Sequence, residues 1–190
     1  MAEYIGRMQA GNLCLVLCCI FYLIWWSIAF NPNRDFPMAA KSILFLVTLC
    51  FGLAGVGVLV WGMAELPKEK GGISSGAICV IGIVAYALLL FLTYHFLQRQ
   101  VTTELALIVG WTALEVCVMN ALWRADALGA AAAVVMAVVV VVAAIIGMLC
   151  YLAYYELDPQ IAFYDGMVPL ILFAVVMAIE ILVVARCAAV

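Results

Sequence analysis

Charge is what this chain has least of. Only 10% of its 190 residues are Asp, Glu, Lys or Arg, against roughly a quarter in a soluble domain, so a water-facing surface cannot be built from them. Histidine occurs once, which excludes bis-histidine haem ligation and a Cys/His metal set. No basic run occurs either, with 8 Lys+Arg against 11 Asp+Glu, and nucleic acid is set aside as a partner. The eight cysteines, Cys14, Cys18, Cys19, Cys50, Cys79, Cys117, Cys150 and Cys187, contain no Cys-x-x-Cys pair, so the thiols of a quinone-linked oxidoreductase are missing. Cys14 and Cys18 share a helix face and read as small core residues. The last apolar run has no lysine to hold a retinal, and no run of spaced aspartates suits a lipid-headgroup transferase. Tyr164-Asp165-Gly166 looks like half of an intramembrane aspartyl-protease site, but no second aspartate lies in a matching GxGD setting. No enzyme, cofactor or metal is expected.

What the chain has instead is apolar length. At 71% hydrophobic residues it reads as an all-α integral membrane protein, a compact bundle of six transmembrane helices with short loops in one domain, 1–190. The spans fall at about 12–30, 39–63, 73–97, 101–123, 127–152 and 167–189. The first lacks a basic n-region and a cleavage site before it, so it is expected to be retained. Phe21, Tyr22, Trp25, Trp26 and Phe30 form a girdle where hydrocarbon meets headgroups, and Asn31-Pro32 opens a turn. Gly52, Gly55, Gly57 and Gly62 in the second span mark a close helix–helix seam. The run from Ala130 to Ala144 is smooth and close-packing, with no chemistry of its own. Tyr22, Tyr94 and Tyr154 each precede a turn on one side, a faint echo that three stacked hairpins would explain.

Two carboxylates interrupt this apolar pattern. Glu115 lies near the middle of the fourth span and Glu180 near the middle of the sixth, each 14 residues in from the same side, so they share a depth. A charge at that depth costs a few kcal/mol on insertion scales, so such a side chain faces a cavity or a partner, or carries a proton. If the fourth and sixth helices are neighbours, like-charge coupling makes the pair hold a proton near neutral pH. Glu104 and Trp111 return to within about 20° of the Glu115 face, with Thr112 beside them. Glu104 alone is explained by its place in the first turn of a helix. Trp111 and Thr112 are the candidates for a pore lining or constriction. Asn120 points elsewhere and reads as an interhelical hydrogen-bonder. Trp26, Tyr94, His95, Glu156, Asp158 and Asp165 gather on the opposite side from the termini, as candidates for an outer vestibule attractive to cations.

With the N-terminus inside, Arg7, Lys68, Lys70, Arg124 and Arg186 lie in the cytoplasm and Arg34, Lys41 and Arg99 outside, which favours N-in, C-in. Residues Gly52 to Gly76, FGLAG…WGMAELPKEKGGISSG, and the helix–turn–helix length from Trp111 to Gly147 resemble the small six-helix acetate/succinate transporters, a group similar in size to the urea/amide channels. Asn31-Pro32 follows the first span, where that group's asparagine-proline motif precedes it, so no site residue is carried over. The resemblance implies a small-solute pore in each protomer of a homo-oligomeric ring. The expected function is therefore transport across the plasma or inner membrane: a channel or proton-coupled carrier for a small polar or weakly acidic solute, using Glu115, Glu180 and Glu104. The rival is a non-transporting bundle that binds lipid or a partner protein, with the carboxylates as glue between helices.

Overall fold

The computed structural model describes residues 2–31, 35–98 and 103–188, which form helices and connections with no strand among them. The helices are α1 (Ala2–Ala29), α2 (Met38–Glu65), α3 (Ser75–Leu97), α4 (Thr103–Arg124), α5 (Ala130–Tyr154), α6 (Pro159–Asp165) and α7 (Val168–Ala188). Six stretches are long and apolar enough to cross a membrane, the last made of α6 and α7 together. Pro32, Arg34, Arg99, Val101 and Ala189, used in the sequence reading, lie outside the described residues.

Local chemistry sets several boundaries. The Ser74 hydroxyl accepts from the Ala77 amide at the start of α3. Pro159 occupies the first turn of α6, where a missing N–H costs nothing. Glu104 and Arg124 bracket α4 with the signs its dipole prefers. The valine run of α5 is helical although β-branched residues favour strands, because in an apolar surrounding every backbone group must bond within its own segment. α1 starts ten residues earlier than the expected first span, at Ala2 rather than Asn12. Its polar opening turns are stabilised by Arg7, which bridges Glu3 on its own helix and Glu65 of α2 and lies 4.3 Å from the Trp61 ring centroid.

Consecutive long helices pair as three hairpins, α1/α2, α3/α4 and α5/α7, and α7 packs on α1 while α5 packs on α4. The centre therefore lies among α1, α4, α5 and α7. α2 flanks it on α1, and α3 flanks it on α4. α4 contributes Leu105, Ile108, Glu115, Cys117, Val118, Met119, Ala121 and Leu122 to the interior, more than any other helix. The outward faces are apolar: Leu53 and Val60 of α2, Ile83 and Phe91 of α3, Val134 and Val138 of α5, and Ile171 and Leu182 of α7 are all exposed. Outer faces this apolar are what a lipid solvent selects.

The α1/α2 seam is built on glycine. A Cβ at Gly55 would stand 2.7 Å from Leu15 Cδ2 and 3.0 Å from the Gly11 carbonyl oxygen, and one at Gly11 would stand 2.6 Å from Leu59 Cγ. Gly57, by contrast, faces open space. Gly55→Leu is expected to cost about 1–3 kcal/mol by forcing the helices apart, whereas Gly57→Leu changes stability by less than about 1 kcal/mol. Thermal unfolding in detergent micelles checks the pair, and equal losses would contradict the seam.

At the end where α1 begins and α7 finishes, the α2–α3 connection is strapped to the end of α4. The amides of Glu69 and Lys70 donate to the Arg124 carbonyl at 3.0 and 2.9 Å, Lys70 pairs with Asp126, and Arg124 Nε donates to the Lys70 carbonyl at 3.3 Å. Asn120 Nδ2 donates to the Ile73 carbonyl at 2.9 Å, so its partner is this strap rather than another helix. Gly72 is needed here, because a Cβ would lie 2.6 Å from Trp123.

Candidate functional site

Glu115 lies 12 residues after Thr103 at the start of α4, and Glu180 lies 12 after Val168 at the start of α7. Both are therefore about 18 Å along their helices, near the middle of the bundle. Neither carboxyl is touched by solvent, each side chain being 0% exposed. The two face each other closely enough to hydrogen-bond directly once one of them carries a proton. α4 and α7 approach here through side chains rather than backbone. One step toward the start of both helices, Trp111 stacks on Phe173 with centroids 4.1 Å apart and planes 18° from parallel.

The third wall is α1. Asn12, 3% exposed, points its Nδ2 at Glu180 Oε2 across a long 3.4 Å, and Gln9 Nε2 donates to the Ile181 carbonyl at 3.4 Å. Cys19 lies within electrostatic reach of Glu115. The buried apolar core to which α1, α4, α5 and α7 all contribute includes Met119, Val140 and Met177. Among the described residues the buried polar side chains are Asn12, Thr48, Thr93, Glu115 and Glu180, with no lysine, arginine or histidine. The pair has no fixed counter-charge.

Hydrogen bonding around the pair is incomplete in one consistent way. Both oxygens of Glu115, Oε1 of Glu180, Oδ1 of Asn12 and Nε1 of Trp111 are buried without a partner. Four of these five atoms are acceptors. Two adjacent ionised carboxylates with no counter-charge and no water contact would be strongly destabilising, so something positive and small must accompany them. A proton is the least it can be.

The remaining expected site residues are placed differently. Glu104 is exposed in the first turn of α4, within electrostatic range of Tyr22, and its dipole role is sufficient. Thr112 donates to the Ile108 carbonyl at 2.7 Å, satisfying its hydroxyl on its own helix. The expected vestibule is only partly assembled. Trp26 Nε1 donates to the Phe163 carbonyl at 3.0 Å, and its ring meets Phe30 and Tyr154 and lies against Gly166, whose Cβ would fall 2.3 Å from Trp26 Cζ2. Asp158 is the N-cap residue of α6, its carbonyl accepting from the Ala162 amide while its side chain makes no capping bond, Glu156 is exposed, and Asp165 is half-buried with Oδ2 unpartnered. Tyr94 and His95 stand apart on α3, which packs on α4. Tyr94 is exposed, while His95 stacks on its own helix neighbour Phe91 and meets Phe96 edge-on. At the same end Lys41 hydrogen-bonds Asp35 at 3.0 Å and holds its carboxyl below the usual carboxylate range.

Asn12 stands at the mouth of the first expected span, where nothing in the sequence marks it as buried. Its signal is the Gln9/Asn12 spacing, which puts two amides on one face of a helix that begins at Ala2. No family model, curated protein or solved structure matches this chain.

Proposed function

We propose that the chain is a multi-pass membrane transport protein that carries protons together with, or in exchange for, a small solute through the Glu115–Glu180 pair. The observation that carries this is a carboxyl pair at mid-depth in a bundle with apolar outer faces, fully enclosed, without counter-charge and with its oxygens unpartnered. Intramembrane ionisable groups of this kind mark ion and proton pathways. The pair is shut off from solvent, which suits an occluded state of a carrier better than an open channel. Trp111 over Phe173 closes the side toward the α6 end, and Asn12 with Gln9 closes the side toward the termini. Alternating access then requires one of these closures to part while the other holds.

The same enclosure supports one rival, in which a permanently shared proton glues α4 to α7 and nothing is transported. Five basic residues at the terminal end, Arg7, Lys68, Lys70, Arg124 and Arg186, against Arg34, Lys41 and Arg99 at the other, support a reading in which the terminal end faces the cytoplasm. Liposomes holding a pH dye separate the two functions: addition of acetate, urea or small cations to wild-type vesicles is expected to drive solute-dependent proton flux that Glu115→Gln reduces at least about a hundredfold. Absence of flux with every solute, with Glu115→Gln altering only stability, would leave the glue function standing.

A further inference from the structure

We infer that the carboxyl pair also binds a small monovalent cation, Na⁺ or Li⁺, which takes the place of one proton. This rests on the transport reading above and names the ion to which proton movement is coupled. The donor set is the first ground. Glu115 Oε1 and Oε2, Glu180 Oε1 and Asn12 Oδ1 are four hard oxygen ligands, all buried and all without hydrogen-bond donors. Asn12 supplies the independent observation: it is 97% shielded, its amide is held at the site by Nδ2 against Glu180, and yet its oxygen accepts from nothing. Two protons on the carboxyls serve each other. They leave that amide oxygen, and most of the remaining lone pairs, unserved.

Size and charge then narrow the ion. Neither carboxyl is exposed to solvent, so an ion held there is stripped of water and is accommodated the more readily the smaller it is. Na⁺ and Li⁺ are smaller than K⁺. Divalent ions are disfavoured by ligand number, since Ca²⁺ takes about 6–8 oxygens and Mg²⁺ demands a near-octahedral shell that keeps several waters. With two protons the pair is neutral, and with one proton and one Na⁺ it is neutral again. With one proton alone it is an uncompensated anion in a dry core. Only the two loaded states can be occluded cheaply, so release of one ion without uptake of the other is suppressed. The proton displaced when Na⁺ enters leaves from a carboxyl to the same aqueous side.

The titratable groups facing the site are the two glutamates themselves, from α4 and α7, and Cys19 from α1. The buried residues of α5 are Ala133, Met136, Val140, Ala143 and Gly147, none of them titratable. The competition is therefore set by the carboxyl pair.

Thermal unfolding of the purified protein in detergent, with NaCl, LiCl, KCl or choline chloride at one ionic strength, tests this first. Na⁺ and Li⁺ are expected to raise the melting temperature more as pH rises, KCl and choline chloride not, and Asn12→Ala to shift the half-maximal Na⁺ concentration upward at least about tenfold, as loss of a ligand to a charged group does. Equal effects of all four salts, or a Na⁺ effect unchanged in both Asn12→Ala and Glu115→Gln, would overturn the ion site. Flux in vesicles separates its failure from that of the transport reading. Solute-driven proton flux identical in Na⁺ and choline media overturns the cation proposal and leaves transport intact. Na⁺-specific stabilisation lost in both variants, without flux of any kind, keeps the ion site and overturns transport.

Discussion

Glu180→Gln is expected to leave the fold within about 1 kcal/mol of wild type while removing proton flux, and Glu180→Ala to cost about 2–4 kcal/mol as well as the flux. The difference follows from what each side chain leaves behind. Glutamine fills the same volume, and its amide donates permanently to Glu115, which has no donor among the described residues. The acid that exchanges the proton is thereby replaced by a fixed hydrogen bond. Alanine removes the group that Asn12 Nδ2 addresses and opens a cavity beside Met177 and Phe173, in a core with no room to collapse without moving α7 against α4. Denaturant or thermal unfolding in micelles gives the stability difference, and dye-loaded vesicles give the flux. Wild-type flux in Glu180→Gln would remove the pair from the path.

The second large effect is at Trp111. Trp111→Ala is expected to destabilise by about 3–5 kcal/mol and Trp111→Phe by less than about 1.5 kcal/mol. α4 and α7 are joined mainly through side chains, and the Trp111–Phe173 stack, with ring centroids 4.1 Å apart, lies between them. Phenylalanine keeps the stack and discards only an indole N–H that has no partner. If the stack is also the closure toward the α6 end, Trp111→Ala raises passive proton leak in vesicles, and Trp111→Phe does not. A stability loss with unchanged leak would reduce Trp111 to a packing residue.

Much of this site can be read along the chain, because helix periodicity and helix length are local. The equal depth of Glu115 and Glu180 needs only the starts of two helices, and both glutamates do lie 12 residues in. The return of Trp111 to the Glu115 face needs only 3.6 residues per turn. The glycine seam of α2 is likewise local, since Gly55 and Gly62 recur on one face and meet Leu15 and Met8. What sequence cannot supply is the rotation of each helix about its axis and the choice of neighbours, which packing decides. Tyr94 and His95 share a side of the bundle with Trp26 but belong to a helix that packs on α4, so the expected vestibule does not close. Asn12 was hidden by the opposite error. The polar residues before it suggest an aqueous tail, whereas Arg7 bridges Glu3 and Glu65 against the Trp61 ring and ties those turns into the bundle.

The proposed function requires a proton on the carboxyl pair that is enclosed yet exchangeable. Infrared spectroscopy of the protein in membranes transferred from H₂O to D₂O follows the carbonyl stretch of the protonated acids directly, with the Glu115→Gln/Glu180→Gln double variant identifying the band. The proposed function predicts that this band shifts to its deuterated position within the turnover time of transport, while the core amides remain undeuterated for far longer. A band that persists with the amides for hours would mean a proton locked between α4 and α7 as glue, and would contradict transport.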